Sequence, residues 1–250
     1  RWLKFVKYLR LYGWEPVVFC PENPEYPEYD NSLERDIPNN LEVIKFPIWE
    51  PYHFYKRLLG QKKDEKISAA FLSEKKKNPM LEAISIWIRG NFFIPDARKF
   101  WIRPSVNFLG KYLIDNPVDA IASTGPPHST HLIAMQLADQ YKRPWLADFR
   151  DPWTNIDFYK DLKLTRRADA LHRKLELKVL QNASAVTVIS HSMADDFRKL
   201  FKRSYAVITN GYDETDTGRT EVIMDKKFSI AHIGSLVSTR NPTTLWEALK

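Results

Sequence analysis

The chain has 250 residues, a formal net charge of +7 and one cysteine. Its apolar content of 44% suffices for a sizeable core, and its length suits one large domain or two small ones. The single cysteine excludes an internal disulfide and favours a reducing compartment, and no apolar run reaches the roughly 18 residues of a membrane-spanning helix. No stretch has the pattern of a signal peptide.

The first 46 residues have the pattern of an α/β domain. Residues 1–12 are spaced as an amphipathic helix, and Gly13 suits the position that follows a helix end. Strands are predicted over residues 16–20 and 41–46, with a proline-rich and acidic loop between them. This order predicts the start of a doubly wound domain whose first strand is missing because it precedes residue 1. We expect the chain to be a fragment that lacks both ends.

Most of the positive charge lies in residues 52–112. This segment has 13 Lys and Arg residues against 5 acids, a net charge of +8. Within it, residues 61–78 are predicted to form a solvated loop because they are rich in Lys and Glu and poor in large apolar side chains. The apolar stretches 80–94 and 97–113 are predicted to form helices.

Two interpretations of these helices stay open. In the first, both pack on the sheet as core helices. In the second, residues 52–112 bind an anionic membrane surface, with cations beside the aromatic side chains Trp87, Phe92, Phe93 and Trp101. Nucleic acid is not an expected partner, because no nucleic-acid-binding motif accompanies the basic charge.

A strand–helix–strand unit lies at the centre of the chain. Strands are predicted over residues 118–123 and 144–149, and a helix over residues 128–141 joins them. This order predicts a parallel pair with a right-handed crossover. Ligands of such sheets lie beyond the carboxyl ends of the strands. Those ends carry small, hydroxyl, acidic and basic residues: Ser123, Thr124, Gly125, Asp148, Arg150 and Asp151.

The same pattern continues towards the end of the chain. A helix over residues 165–180, a strand over 185–189, a helix capped by His191 or Ser192 and a strand over 205–208 are predicted. Asn210-Gly211 then forms a turn.

The polar stretch 213–226 is predicted to link two domains, of which the first covers residues 1–212. Residues 227–250 would begin the second, with a strand over 228–233 and a helix that starts near Asn241.

Several ordered segments together resemble a known family. They are DAIASTGPPHSTH over 119–131, WLADFRDPW over 145–153, Asn210-Gly211-Tyr212-Asp213, Ile233-Gly234-Ser235 and Arg240-Asn241-Pro242. This set resembles family-4 glycosyltransferases of the GT-B fold, in particular bacterial members that act in surface polysaccharide synthesis.

The resemblance implies a fold and an activity. The fold is a Rossmann-like doubly wound parallel sheet on the acceptor side, followed by the first β–α unit of a Rossmann-like domain that binds the nucleotide-sugar. The activity is retaining transfer from a nucleotide-diphosphate-sugar to a glycan or lipid-linked acceptor, without a metal or a separate cofactor. A cytoplasmic enzyme, peripheral on the inner face of the cell membrane, is expected.

The resemblance also implies site residues. On the acceptor side these are Thr124, Gly125, His128, Asp148, Arg150, Asp151, Trp153, Asn210 and Gly211. The donor diphosphate is expected at Gly234, Ser235 and Arg240. The chain departs from the family where Arg150 replaces a His, Asp148 a Thr and Ser235 an Arg. Arg240 keeps the spacing of a family Lys, and a guanidinium binds phosphate well.

Alternatives stay open for several of these residues. Asp148, Arg150 and Asp151 form either a charge network at the floor of a cleft or an internally satisfied ion pair. Trp153 is either a core residue or a platform for a sugar, and His128 is either a cleft residue or only part of the first helical turn. A metal pair of His128 with His131 is not expected, because no cysteine or acid stands at ligand spacing.

Two other functions stay open as well. The first is a non-catalytic binding or scaffold protein on the same fold, which the loss of the family's His and Arg favours. The second is a sugar-nucleotide epimerase, which shares the fold.

Overall fold

The structure, a computed structural model, describes residues 1–24, 30–49, 79–213, 225–234 and 241–249. The helices among them are α1 (Trp2–Leu9), α2 (Pro79–Phe92), α3 (Lys99–Asp115), α4 (Ser129–Tyr141), α5 (Arg166–Asn182), α6 (His191–Leu200) and α7 (Thr243–Ala248). The strands are β1 (Val17–Pro21), β2 (Glu42–Phe46), β3 (Ile121–Gly125), β4 (Trp145–Phe149), β5 (Ala185–Val188) and β6 (Ala206–Val207). Short 3-10 helices cover Arg10–Tyr12, Asn31–Asp36 and Asp157–Leu162.

All strand pairs of the described residues are parallel. Strands β1 and β2 form one sheet, and β3, β4, β5 and β6 form another in that order. Helices connect the successive strands of the larger sheet, as parallel pairing requires. The predicted α/β class with a parallel sheet is therefore confirmed, and the arrangement is consistent with a Rossmann-like fold.

The core surrounds strands β4 and β5. Trp145, Ala147 and Phe149 of β4 are almost fully buried together with Val186 and Val188 of β5. Apolar side chains from α4, α5 and α6 complete this cluster. Near-continuous burial along a strand is typical of a parallel sheet whose faces are both covered.

A second, smaller core lies beside β1 and β2. Trp101 of α3 is only 3% exposed, and its ring stacks on that of Phe19 at 4.9 Å. Ile133 and Leu137 of α4 belong to the same cluster. Trp101 is therefore a core residue, and its predicted role in contacting a membrane is wrong. Helix α3 follows the core interpretation on this face.

Local interactions set the helix ends. Gly13 has a φ of 77° and ends the first helical segment, as predicted. The hydroxyl of Ser190 accepts a hydrogen bond from the backbone N–H of Met193 and caps α6, so the predicted caps at His191 or Ser192 are wrong by one or two residues. Helix α4 receives its cap from elsewhere in the chain, because Ser129 N donates to Asp96 Oδ2 at 2.8 Å.

The chain divides into two compact units, Arg1–Gly211 and Tyr212–Lys250. In the second unit, residues 225–234 form no strand, so the strand predicted over 228–233 is not formed. Phe228 and Ile233 are strongly exposed. A strand exists through hydrogen bonds to a neighbouring strand, and no described residue pairs with this segment. Helix α7 begins two residues after the predicted start.

Candidate functional site

A row of polar side chains crosses the larger sheet near the carboxyl ends of its strands. Asp148 of β4 is in register with Thr124 of β3 on one side and Thr187 of β5 on the other. Thr124 Oγ1 donates to Asp148 Oδ2 at 3.0 Å, and Thr187 Oγ1 donates to Asp148 Oδ1 at 2.7 Å. The parallel register thus places a buried carboxylate between two hydroxyl donors.

The start of α1 supplies the charged partner of this carboxylate. Arg1 Nη2 donates to Asp148 Oδ1 at 2.9 Å and Arg1 Nε donates to Asp148 Oδ2 at 3.3 Å, which is a two-point guanidinium–carboxylate contact. Trp2 Nε1 donates to Asp148 Oδ2 at 2.7 Å. We call Arg1, Trp2, Thr124, Asp148 and Thr187 the Asp148 cluster. Every oxygen of its carboxylate is satisfied.

Charge pairing outweighs burial at Asp148. Burial acts to raise the pKa of this carboxyl, whereas hydrogen bonds from Arg1, Thr187 and Trp2 lower it, and the net pKa lies below its usual value. Asp148 therefore remains ionised under ordinary conditions. Its exposed fraction is 1%, so the carboxylate is a fixed internal charge and does not meet solvent.

Asn210 joins the same edge of the sheet through Arg1. Arg1 Nη1 donates to the carbonyls of Ile208 and Thr209 at 3.0 and 3.2 Å and to Asn210 Oδ1 at 3.3 Å. Gly211 follows and is exposed. Arg1 thus links Asn210 to Asp148.

A second group of polar side chains surrounds Gly125, the last residue of β3. A Cβ added to Gly125 would lie 2.6 Å from His131 Nε2 and 2.9 Å from His128 Nδ1. Arg150 closes the group, since its backbone N–H donates to Gly125 O at 2.9 Å and its Nη2 donates to Pro126 O. We call His128, His131 and Arg150 the histidine cluster.

The histidine cluster differs from its neighbour in hydrogen bonding. His128 Nδ1, His131 Nε2 and Arg150 Nε are buried and have no partner. His131 Nδ1 does have one, the hydroxyl of Ser123 at 2.8 Å. Buried polar atoms without a partner are rare in native proteins, and each of them needs an explanation.

Both imidazoles of this cluster are neutral at physiological pH. Burial lowers the pKa of His128 well below its ordinary value, with contributions from His131, His172 and Arg150. Burial also lowers the pKa of His131, to about 3. Arg150 is therefore the charged member of the cluster, and the two rings add neutral nitrogen atoms that can donate or accept a hydrogen bond.

The structure decides two of the alternatives that the sequence left open. Of the two alternatives for Asp148, the structure shows the internally satisfied ion pair, and the partner is Arg1. The donors to Asp148 are Arg1, Trp2, Thr124 and Thr187. Asp151, which follows Arg150 in the chain, is partly exposed. Arg150 points to the carbonyl of Pro126 because the chain turns at the end of β4 towards the end of β3.

Trp153 is a core residue. Its side chain is 4% exposed. The His128 ring stacks on one face of its indole, with 4.5 Å between the ring centroids and an interplanar angle of 2°. The indole Nε1 donates to His172 Nδ1 at 3.0 Å. A sugar has no access to the face that His128 covers, so of the two roles left open for Trp153 the structure supports the core residue. Its place in the site is to fix the orientation of His128.

Sequence reasoning missed four residues that shape this edge. Arg1 and Trp2 hold Asp148, Thr187 completes its hydrogen bonds, and the buried Glu176 accepts hydrogen bonds from Thr154 Oγ1 at 2.5 Å and Thr154 N at 3.2 Å. The sequence contains a clue to the role of Thr187, because it is the one residue with a hydroxyl group in the apolar run Ala185-Val186-Thr187-Val188. The sequence contains no such clue for Glu176. It lies among lysines on a helix that has a basic outer face, where a glutamate is expected to be exposed.

The predicted donor residues belong to the second unit. Gly234 has a φ of 137°, a backbone conformation that favours glycine, and it is exposed. Ser235 and Arg240 lie outside the described residues. The described part of the chain contains no group of three or more His, Cys, Asp or Glu side chains that could hold a metal ion.

The fold and the site define a class. The first unit is an α/β protein with a parallel sheet and a cluster of charged and polar side chains at the carboxyl ends of its strands. Comparison with family models, with curated proteins and with solved structures finds no match for the chain.

Proposed function

We propose that this chain belongs to a retaining glycosyltransferase of the GT-B type, which transfers a sugar from a nucleotide-diphosphate-sugar to a glycan or lipid-linked acceptor. The observation that carries the proposal is the position of the polar residues. Thr124, Asp148, Arg150 and Asn210 all lie at or just beyond the carboxyl ends of parallel strands, where open α/β sheets bind their ligands. The order of the motifs along the chain supports the same assignment.

The two clusters have different roles in this proposal. The Asp148 cluster ties α1, β3, β4 and β5 together and offers no free oxygen, so it positions the edge of the sheet. The two imidazoles of the histidine cluster are buried, whereas Arg150 is charged and partly exposed, so Arg150 is the member of this cluster that contacts the acceptor.

The donor is assigned to the second unit. By sequence, the segment after Gly234 offers the backbone amides of Ser235 and its neighbours and the guanidinium of Arg240, which are the kinds of group that bind a diphosphate. In retaining transfer the sugar becomes oxocarbenium-like while the diphosphate leaves with the bonding electrons. Cationic and amide donors stabilise that leaving group without a metal ion.

Donor binding is tested by calorimetry with uridine diphosphate and guanosine diphosphate as probes. Arg240→Ala is expected to weaken binding of the preferred probe by about 1.5–3 kcal/mol, because a charge-assisted hydrogen bond is lost. Lys227→Ala removes an exposed cation of the same unit and should leave the affinity unchanged. Equal affinities for the wild type and the Arg240→Ala variant would remove Arg240 from the donor site.

Transfer itself is tested with a panel of nucleotide-sugars and a membrane glycolipid extract, and the glycosylated product is detected by mass spectrometry. The expected result is donor-dependent product that disappears when the nucleotide-sugar is omitted. One observation favours the alternative of a non-catalytic binding protein: Asp148 and Trp153, two of the expected site residues, are fully engaged inside the fold. Nucleotide-sugar binding without product would support that alternative.

A further inference from the structure

The inward face of α5 carries two polar residues in an otherwise apolar row. Its buried positions are Ala168, His172, Glu176, Val179 and Leu180. Residues at this spacing form the stripe by which a helix packs on a core, and such a stripe is normally apolar. Glu176 is only 1% exposed, and the burial of a carboxylate costs free energy. A glutamate at this position therefore calls for an explanation.

Both polar residues contact the segment that follows β4. Glu176 Oε1 accepts hydrogen bonds from Trp153 N at 3.3 Å and Thr154 N at 3.2 Å, and Glu176 Oε2 accepts one from Thr154 Oγ1 at 2.5 Å. His172 lies one turn earlier on α5, and its Nδ1 accepts a hydrogen bond from Trp153 Nε1 at 3.0 Å. The two polar residues of this face therefore hold the same two residues of the segment.

This segment needs partners from elsewhere in the fold. Residues 150–156 form neither a helix nor a strand, so regular secondary structure does not supply the partners of their backbone N–H groups. At the start of the segment, Arg150 N donates to Gly125 O at 2.9 Å. Further along, the acceptor is the Glu176 carboxylate. The segment is thus attached to β3 at one end and to α5 at the other.

The donors to the Glu176 carboxylate are neutral groups. Two are backbone N–H groups and one is a hydroxyl. Hydrogen bonds to an ionised acceptor are stronger than those between two neutral groups. One carboxylate that accepts from two successive backbone N–H groups therefore fixes the local backbone more firmly than an apolar side chain at the same place could.

We propose that Glu176 is a positioning residue, which holds Arg150 in the place where it contacts the acceptor. The contact of Arg150 with the acceptor rests on the proposed function, whereas the attachment of its segment to Glu176 does not. Glu176 itself is buried, so it acts through the segment and does not touch a substrate.

Two features connect the attached end of the segment to Arg150. Only two residues separate Arg150 from Trp153, and one of them is Pro152, whose fixed φ limits the freedom of the link. The ring of Trp153 also stacks on that of His128, which belongs to the same cluster as Arg150. A shift of Trp153 would therefore change the surroundings and the position of Arg150.

Amide hydrogen exchange of the whole chain, followed by mass spectrometry of the peptides that cover residues 150–156, tests the attachment without a need for activity. In Glu176→Leu the exchange of this segment should become at least about tenfold faster, because two backbone N–H groups lose their acceptor. Glu176→Gln keeps an oxygen that can accept from the same groups, so its exchange should stay within about threefold of the wild type. Thr154→Val removes the hydroxyl alone and should give an intermediate rate.

Val179→Ala is the matched control for general destabilisation. Val179 lies on the same face of α5, is fully buried and belongs to the main core. Its truncation lowers stability but leaves the acceptor atoms of Glu176 in place. The exchange of residues 150–156 should therefore stay close to that of the wild type. Equal acceleration in Val179→Ala and Glu176→Leu would show a purely structural effect and would overturn the proposal.

The rate of donor-dependent transfer at a limiting concentration of glycolipid acceptor tests the link to Arg150. Glu176→Leu should lower this rate at least about tenfold, because a small displacement of a contacting group costs much of its effect. Glu176→Gln should restore most of the rate. In calorimetry with uridine diphosphate and guanosine diphosphate, Glu176→Leu should match the wild type, because the donor is assigned to the second unit.

A double-mutant cycle shows whether Glu176 acts through Arg150. In an Arg150→Gln background, Glu176→Leu should lower the rate by less than about a further twofold, because the group that it positions is already lost. Losses that multiply in full would show two independent effects and would overturn the proposal. Unchanged hydrogen exchange of residues 150–156 in Glu176→Leu would overturn it as well.

Failure of the proposed function has a different result. Wild-type protein that transfers no sugar would contradict the proposed function, and the exchange of residues 150–156 would still decide whether Glu176 positions the segment. Thr154→Val changes the volume of its side chain little and provides the same exchange test should Glu176→Leu fail to fold.

Discussion

Two neighbouring clusters at one edge of the sheet differ in how their hydrogen bonds are met. The Asp148 carboxylate receives five donated hydrogen bonds from four residues, including an arginine fork. In the histidine cluster, three buried nitrogen atoms from His128, His131 and Arg150 have no partner. A fully satisfied polar network rigidifies a structure, whereas unmatched polar atoms add no stability to it. The difference separates a cluster that holds the edge together from one whose buried nitrogen atoms lack partners and whose charged member, Arg150, is partly exposed.

Replacement of Asp148 by Asn gives the largest expected effect. The variant leaves the Arg1 guanidinium in the interior without its countercharge, and the free energy of unfolding should fall by about 3–5 kcal/mol. Urea unfolding followed by circular dichroism measures the change. Asp139→Asn is the matched control, because Asp139 pairs with Lys142 at 2.8 Å in full solvent and its loss should cost less than about 1 kcal/mol. Equal losses in the two variants would contradict the structural role of Asp148.

Gly125→Ala tests how tightly the histidine cluster is packed. The new methyl group would lie 2.6 and 2.9 Å from two buried imidazoles, which are held by Ser123 and by stacking on Trp153. The expected loss in the free energy of unfolding is about 1–3 kcal/mol. Gly211→Ala is the control, since nothing lies within 4 Å of its added Cβ. An unchanged free energy of unfolding in the Gly125→Ala variant would show that the imidazole rings are not where the structure places them.

The pH dependence of stability should reveal the Asp148 ion pair. The folded-state pKa of Asp148 is lowered, so its contribution is present above the unfolded value of about 3.9 and is lost as pH falls through the folded value. The difference in unfolding free energy between wild type and Asp148→Asn should therefore shrink in strong acid. A difference that is constant down to the folded pKa and below it would contradict the ion pair.

Glu176 should change the free energy of unfolding with pH in the opposite direction to Asp148, and this is the smallest of the expected effects. Burial raises its pKa, and the hydrogen bonds from Thr154 and Trp153 N–H do not outweigh burial. The folded state then prefers the protonated form, so the wild type loses stability as pH rises through the folded pKa. The free energy of unfolding of the Glu176→Gln variant should therefore rise relative to that of the wild type as pH rises through the folded pKa of Glu176. Unfolding curves at a series of pH values show whether the two carboxyls respond with opposite signs.

The main features of the fold could be predicted from the sequence because local patterns determine them. Short apolar runs bounded by turn residues gave β3, β4 and β5, and helical spacing gave α4 and α5. The strand over 228–233 had the same kind of pattern but is not formed, since a strand depends on partners that a local pattern does not contain. The cap of α4 by Asp96 is likewise a long-range contact.

The candidate site was predicted only in part, for a related reason. Thr124, Asp148 and Asn210 could be placed at one edge because parallel strands end together. The partner of Asp148 could not be predicted, since Arg1 is 147 residues away in the chain. Trp153 had two open roles because its sequence position does not reveal that His128 covers its ring.

The central claim is that Arg150 of the histidine cluster contacts the acceptor and that the Asp148 cluster does not. The rate of donor-dependent transfer to the glycolipid acceptor, measured for Arg150→Gln and Arg150→Lys, tests it most directly. Loss of the charge in Arg150→Gln should lower the rate at least tenfold with unfolding free energy within about 1 kcal/mol of wild type, and Arg150→Lys should restore part of the rate. Wild-type transfer by Arg150→Gln would contradict the claim.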